Sequence, residues 1–298
     1  MLGIGGGGDV VGALAVARLC ESLGTPFVLG GIAWERFAID PHPGPRPLAQ
    51  IRGGRPLGAA LLAGPQTATP EGVTFAEAGM AAHLGTETVL IDVSGGTASA
   101  AAGIASALDE LGCDVLVCVD VGGDVLAHGG EPGLSSPLCD AVMVAAALRV
   151  ADRVKPLLAV IGPGCDGELT VAQVLERVAG LARAGAWLGA WGVTPPIADE
   201  LDAATTLVPT EASRQVVRCA RGEVGDAYIR GGRRRVELGA VGALAFLFDL
   251  VAAPSEALPL AQAVADADSI EDGRAALAAR GVHTELDFER ERAAEGGR

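Results

Sequence analysis

Four glycine-rich stretches of this 298-residue chain each carry acids, and they are the places where its residue types could do chemistry. The first is Gly5, Gly6, Gly7 and Gly8 with Asp9; the second is Asp92 with Ser94, Gly95 and Gly96. The third is Asp120, Gly122, Gly123 and Asp124; the fourth, at 162–168, holds Gly164, Asp166 and Glu168. Glycine lets backbone amides approach a ligand, and a helix start that follows favours an anion. Asp120 and Asp124, bracketing a turn, form an oxygen-ligand set for Mg²⁺, which takes one or two carboxylates plus water and substrate phosphate. Asp120 and Asp124 are therefore expected as metal ligands, and together with His128 and Glu131 as the catalytic candidates. His128 enters because imidazole titrates near neutrality. Asp9 and Asp166 are further candidates for proton transfer or hydroxyl recognition. The competing reading of each acid is structural, since Asp caps helix starts and closes turns.

Trp34, Glu35 and Arg36 combine an aromatic, an acid and a planar cation, which suits recognition of a ring with hydroxyl or phosphate groups. An ordinary loop anchor explains them equally. Arg230, Arg233, Arg234 and Arg235 form the one basic cluster, read as a solvated hairpin with anion binding as the alternative. Ser135 and Ser136 precede Pro137 and read as a helix start. Gly3, Gly5 and Gly8 spell G-x-G-x-x-G, but the acid expected at the end of the next strand is replaced by Gly30 and Gly31, so a dinucleotide fingerprint is incomplete. No Lys-Ser/Thr ends the loop as in a P-loop, and no G-x-S-x-G elbow supports a serine hydrolase. The six cysteines form no C-x-x-C pair, which removes structural zinc.

Short apolar runs, each followed by a glycine loop and then a helical pattern, must position these residues. Strands are expected at 1–4 and 26–31, strand-then-loop segments at 88–96, 113–124 and 157–168, and helices at 97–111, 138–151 and 170–184. Alternation of this kind predicts a parallel sheet with helices on both faces. Beyond 190, helices are expected at 197–205, 210–221 and 240–252, an antiparallel pair at 226–238, and a helical, polar C-terminal stretch fraying over 289–298. The fold class is α/β and Rossmann-like, with a mostly parallel sheet and a C-terminal helical and hairpin elaboration. Residues 1–252 form the α/β domain and 253–298 a C-terminal extension. Ligands of such sheets lie outside the carboxyl ends of the strands, so all four glycine loops are expected around one crevice.

The charge balance, 37 acids against 22 bases and a formal net charge of −15, argues against nucleic acid as partner, because that affinity comes from Lys and Arg on phosphates. Half the residues are apolar, which excludes disorder for the bulk of the chain. The longest apolar runs fall far short of the ~20 residues that span a bilayer. The opening MLGIGGGGDVV lacks signal-peptide features. A soluble cytoplasmic protein is the expectation, with a small-molecule ligand, no membrane partner, and homo-oligomerisation left open.

GIGGGGDVVGA at 3–13, WERFAIDPHPGPR at 34–46, VDVGGDVLAHGGEPGLSSPLCDA at 119–141, GPGCDGEL at 162–169 and TEASR at 210–214 together resemble the archaeal and bacterial family catalogued as domain of unknown function 1152. The resemblance covers roughly residues 1–250 and implies an α/β protein, with no catalytic residues to carry over. The expected function is an enzyme of hydrolase or transferase type on a phosphorylated or nucleotide-like small molecule, held by the glycine loops with a divalent cation. A non-catalytic binding or regulatory module using the same crevice is the alternative, and a dinucleotide-dependent oxidoreductase the third reading.

Overall fold

The computed structural model describes residues 1–296. β1 (Leu2–Gly3) runs through the first glycine loop into α1 (Asp9–Ser22); β2 (Gly30–Ile32), the hairpin β3 (Arg52–Leu57) and β4 (Ala60–Ala68), and α2 (Ala76–Leu84) follow. Three strand–helix units come next: β5 (Thr88–Ile91) with α3 (Gly96–Leu111), β6 (Val115–Val121) with α4 (Pro137–Arg149), and β7 (Lys155–Ile161) with α5 (Val171–Arg183). Then come β8 (Trp187–Gly192), α6 (Pro195–Ala204), α7 (Glu211–Ala220), the hairpin β9 (Gly225–Ile229) and β10 (Arg234–Leu238), and β11 (Leu244–Asp249). The last helices are α8 (Pro259–Ala263), α9 (Ile270–Ala278) and α10 (Glu285–Gly296).

Nine strands form one mixed, mostly parallel sheet in the order β3-β4-β5-β2-β1-β6-β7-β11-β8. β5, β2, β1, β6 and β7 are parallel; β4 joins β5, and β11 joins β7, antiparallel. The chain fills β1, β2 and β5 in one direction, then β6 and β7 in the other, so strand order reverses between β1 and β6. Such a reversal opens a crevice at the carboxyl ends of the two strands.

The alternation of β6 shows why the sheet is covered on both faces. Leu116 and Cys118 enter one apolar layer with Ile104 of α3 and Val142 of α4, whereas Val117, Val119 and Val121 enter the other with Val11 and Leu14 of α1 and Val216 of α7. A strand buried on both faces reads as a continuous apolar run. Gly12 permits the closest approach of α1, since a Cβ there would lie 2.1 Å from Val121 Cγ2. Leu258, Leu277 and Leu286, from the stretch expected as a separate extension, pack into the same layer as β6 and α4.

The expected helix at 240–252 is corrected. Residues 244–249 are β11, inserted antiparallel between β7 and β8. Ala245 and Leu247 face one layer, Phe246 and Phe248 the other, and a short run apolar on both sides does not reveal its period. The β3–β4 hairpin and β8 arise in stretches where no strand was expected, and β2 begins four residues later than the apolar run at 26–31. Thr170 starts α5 as expected, through a capping box with Gln173. The expected fraying tail is helical to Gly296, and residues 297–298 lie outside the described residues. Among the described residues no helix is long and apolar enough to cross a membrane.

Candidate functional site

A cavity of about 270 Å³ opens where the strand order reverses. Its floor is the glycine loop after β1 with Asp9, and its walls come from the turns after β2, β6 and β7, from the start of α4 and from the start of α7.

The glycine loop owes its shape to neighbours that come close. Gly5 N–H donates to Asp9 Oδ2 (2.9 Å), and Gly7 N–H to the Trp34 carbonyl (3.1 Å). The amides of Gly6 and Gly8 find no acceptor among the described residues, and both residues lie in the loop immediately before α1, whose start favours an anion. Gly6 has φ +80°, a conformation that favours glycine. A Cβ on Gly8 would lie 2.3 Å from Thr210 Cβ, so glycine there lets the N-cap residue of α7 close over the loop.

Two triads of carboxylates border the cavity: Asp9, Asp120 and Asp140, and Asp124, Asp166 and Glu168. Within each, oxygens of the three groups lie within 4.8 Å of one another. The triads differ in what satisfies them. Glu168 is fully engaged: it accepts from the Ser135 (2.7 Å) and Ser136 (2.9 Å) amides and pairs with Arg234 (2.8 Å). Burial opposes its charge, but Arg234 and these donors hold it below the usual carboxylate range. Asp120 and Asp140 are 0 % and 1 % exposed, and neither carboxylate has a hydrogen-bond partner among the described residues. Burial pushes both well above the usual range; Asp9 and Asp166 add to this at Asp120, and Asp120 and Asp9 at Asp140. Burial likewise raises Asp9 to about 7, against the Gly5 amide and Arg36, and Asp166 to about 8, with Glu168 adding to it. Asp124 is raised by burial, Glu168 and Asp140. Buried, unpaired acids at this density call for a cation or for protons.

Glu35 and Arg36 come from the turn after β2. Glu35 accepts the Ala76 amide (2.6 Å), and burial raises it to about 7. Arg36 donates to the Gly5 carbonyl, lies over the Trp34 ring (5.3 Å) and faces Glu285 (3.7 Å). The C-terminal helix fixes this corner. Glu285 accepts the Leu138 and Cys139 amides at the start of α4, and Glu289 accepts from Trp34 Nε1 and the Gly44 amide.

Of the residues expected in the site, the structure gathers Gly5, Gly6, Gly7, Gly8, Asp9, Glu35, Arg36, Asp124 and Asp166 around the cavity, with Asp120 buried behind Asp9 and Asp140. Asp120 and Asp124 belong to different triads, and their carboxyls neighbour each other closely enough for each to shift the other's titration. Gly122 makes room for Asp166, whose Cγ would lie 2.2 Å from a Cβ there, and the Gly164 amide donates to the Gly122 carbonyl (2.7 Å). Gly123 packs on Val174 of α5. Ser94, Gly95 and Gly96 do not reach the cavity: the Ser94 carbonyl accepts from Ile270, and Gly96 packs against Ala267. His128 and Glu131 also stay outside its lining. Glu131 accepts the His128 and Gly129 amides and pairs with Arg177 (3.2 Å), and His128 is exposed.

Asp140, Thr210, Glu211 and Glu285 are the residues that sequence reading did not select. Asp140 carried a signal, as a lone acid in the apolar run of α4. Glu285 carried none, because its partners are 146 and 147 residues away.

The model of a protein family of unknown function, DUF1152, matches residues 1–293. No curated protein and no solved structure matches the chain.

Proposed function

We propose, for a chain that belongs to the DUF1152 family of proteins of unknown function, that the cavity binds a phosphorylated or nucleotide-like small molecule beside a divalent cation and catalyses its hydrolysis or group transfer. The observation that carries this reading is the pair of fully buried, partnerless carboxylates, Asp120 and Asp140, brought together with Asp9 next to the glycine loop. A buried charge without a partner is expensive, and a metal ion removes that expense. The oxygen-only donor set suits Mg²⁺ or Mn²⁺. Asp9, Asp120 and Asp140 fit the ion better than the second triad, whose Glu168 is already satisfied. When bound, the cation would polarise a phosphoryl oxygen and neutralise developing charge.

The chain's own groups do the rest. The Gly6 and Gly8 amides and the start of α1 hold the phosphate; Arg36 shapes the loop through the Gly5 carbonyl; Arg230, at the cavity wall, faces the anionic ligand with a planar cation. Thr210, closing on Gly8, shields the loop from water. The parallel strands, numbered in chain order, run 3-2-1-4-5, which supports a Rossmann-like reading of the sheet. A nicotinamide dinucleotide is less favoured: β2 carries glycines where the acid is expected, and Glu35, the acid that follows the strand, is engaged by the Ala76 amide (2.6 Å).

Thermal melts and phosphate release across a panel of phosphate monoesters and nucleotides, with and without Mg²⁺ or Mn²⁺, test the proposal. A ligand that binds only the native state raises Tm as RT ln(1 + [L]/Kd). At least one phosphorylated compound should raise Tm in a cation-dependent way, and NAD(H) and NADP(H) should not. No response from any phosphorylated compound, or a clear nicotinamide response, would contradict it.

A further inference from the structure

We infer that an arginine-lined trough adjoining the acidic cavity is a second anion subsite, so that the ligand carries two anionic groups joined by a spacer. For the first of those groups the inference rests on the reading above.

The trough has a volume of about 620 Å³ and shares Arg36, Ser136, Glu168, Glu211 and Arg230 with the cavity, so the two form one continuous depression. Both volumes are of the size that small-molecule sites occupy. In a chain with 37 acids against 22 bases, six arginines gather on this trough: Arg36, Arg230, Arg233, Arg234, Arg235 and Arg292. The four glutamates beside them cancel part of that charge, Glu285 facing Arg36 (3.7 Å), and Asp226 pairs with Arg235 (2.7 Å). Glu285 and Glu289 are turned to backbone amides and the Trp34 indole, and Glu168 is taken by Arg234 and two amides. Glu211 accepts the Arg230 amide through both oxygens (3.0 Å) and meets its guanidinium only at 3.8 Å. Arg233 bonds the Arg230 carbonyl, and neither it nor Arg292 forms an ion pair among the described residues.

Arg230 marks the junction between the two compartments. Among the described residues it is the only non-glycine with positive φ (+54°), held there by Glu211 at the turn of the β9–β10 hairpin. A strained backbone at the lip of a cavity needs a use for the side chain it aims. Burial and the neighbouring Arg234 and Arg36 charges pull Arg230 below its ordinary range, a repulsion that a bound anion relieves. Phe288, 37 % exposed, and Phe37 also line the trough and give a spacer an apolar surface. A bisphosphorylated compound, or one with a phosphate and a distant carboxylate, has this chemistry. Planar bidentate donors in this number favour phosphate.

The test titrates the full chain, with Mn²⁺ present, with alkane-α,ω-bisphosphonates of increasing length and with alkyl monophosphonates as reference. Linking two groups that reach both subsites raises affinity sharply at the matching length. The expected result is an optimum length that binds at least tenfold tighter than the monophosphonate. The double variant Arg233→Ala/Arg292→Ala, altered only at exposed positions, should reduce that advantage to within twofold and leave monophosphonate affinity and Tm unchanged. Equal affinity at every length, an advantage that survives in the double variant, or no binding of any phosphonate would overturn the inference. Mn²⁺ titrated alone reads the cation seat separately. Its uptake without length dependence removes the trough and keeps the cavity reading; length dependence without its uptake does the reverse.

Discussion

Replacing Asp166 by Asn should stabilise the metal-free protein at neutral pH, although the residue is 5 % exposed and lines the cavity. Burial, with Glu168 beside it, lifts the carboxyl from its ordinary 3.8 to about 8. Between those values the native state holds a proton that the unfolded chain has released, so stability falls as pH rises through the window. At about 1.4 kcal/mol per unit, keeping that proton at pH 7 costs roughly 4 kcal/mol. Asn retains the oxygen that accepts the Glu168 amide (3.2 Å) and has no charge to suppress. Its NH₂ inherits the position of the partnerless Oδ2, which returns about 1–3 kcal/mol of the gain. The net is about 1–3 kcal/mol, or roughly 2–5 °C in Tm for a chain of this size. Thermal melts of both proteins in chelator, from pH 4 to pH 8, measure it. The variant should lead at pH 7 and above, and fall level with or below the wild type near pH 4, where the unfolded carboxyl is itself about half protonated and holding the native proton costs little. A variant less stable at pH 7, or a gap that acidification leaves unchanged, refutes the reasoning.

Arg234→Ala should act in the opposite sense, since it strands Glu168, whose side chain is 1 % exposed. Breaking a buried pair from one side costs about 3–5 kcal/mol, and the one-fifth exposure of Arg234 brings this to about 2–4. Because the Glu168 pKa is depressed, the stability it contributes is present above about 4.5 and lost on acidification, so the penalty should shrink below that pH in melts. Gly8→Ala would set a Cβ 2.3 Å from Thr210 Cβ. It should cost about 1–3 kcal/mol and abolish any phosphate-dependent rise in Tm, which the same melts read with and without orthophosphate.

Local signals carried most of the parallel sheet into view. The runs at β5, β6 and β7 are apolar on both faces, and each ends in a glycine loop, so strand, loop and helix are all marked within about fifteen residues. β11 is not legible in the sequence because its six residues have no polar face to set a period, and its place between β7 and β8 is a long-range fact. The site divides in the same way. Asp9, Asp124 and Asp166 follow strands and were visible as a set; the loop at 94–96 looked identical in sequence but is covered by 264–270, a segment nearly 170 residues on. His128 was chosen for its titration range, yet only the fold decides that Glu131 gathers the local amides and leaves the imidazole outside. Asp120 reads equally as a turn-capping residue, and in the structure the Gly123 amide lies near enough to favour its charge without closing a full hydrogen bond.

On our proposal, Asp9, Asp120 and Asp140 seat a divalent cation. Calorimetric titration of Mn²⁺ into the chelator-treated protein, in two buffers of different ionisation enthalpy, tests it most directly when run on wild type, Asp120→Asn and Asp140→Asn. Carboxylates that burial biases towards the protonated form release protons when an ion binds. One Mn²⁺ should bind with net proton release, weakening as pH falls from 8 to 6. Each Asn variant should lose at least tenfold in affinity while its metal-free Tm holds or rises. A wild type that takes up neither Mn²⁺ nor Mg²⁺, or Asn variants that bind as tightly as the wild type, would contradict the claim.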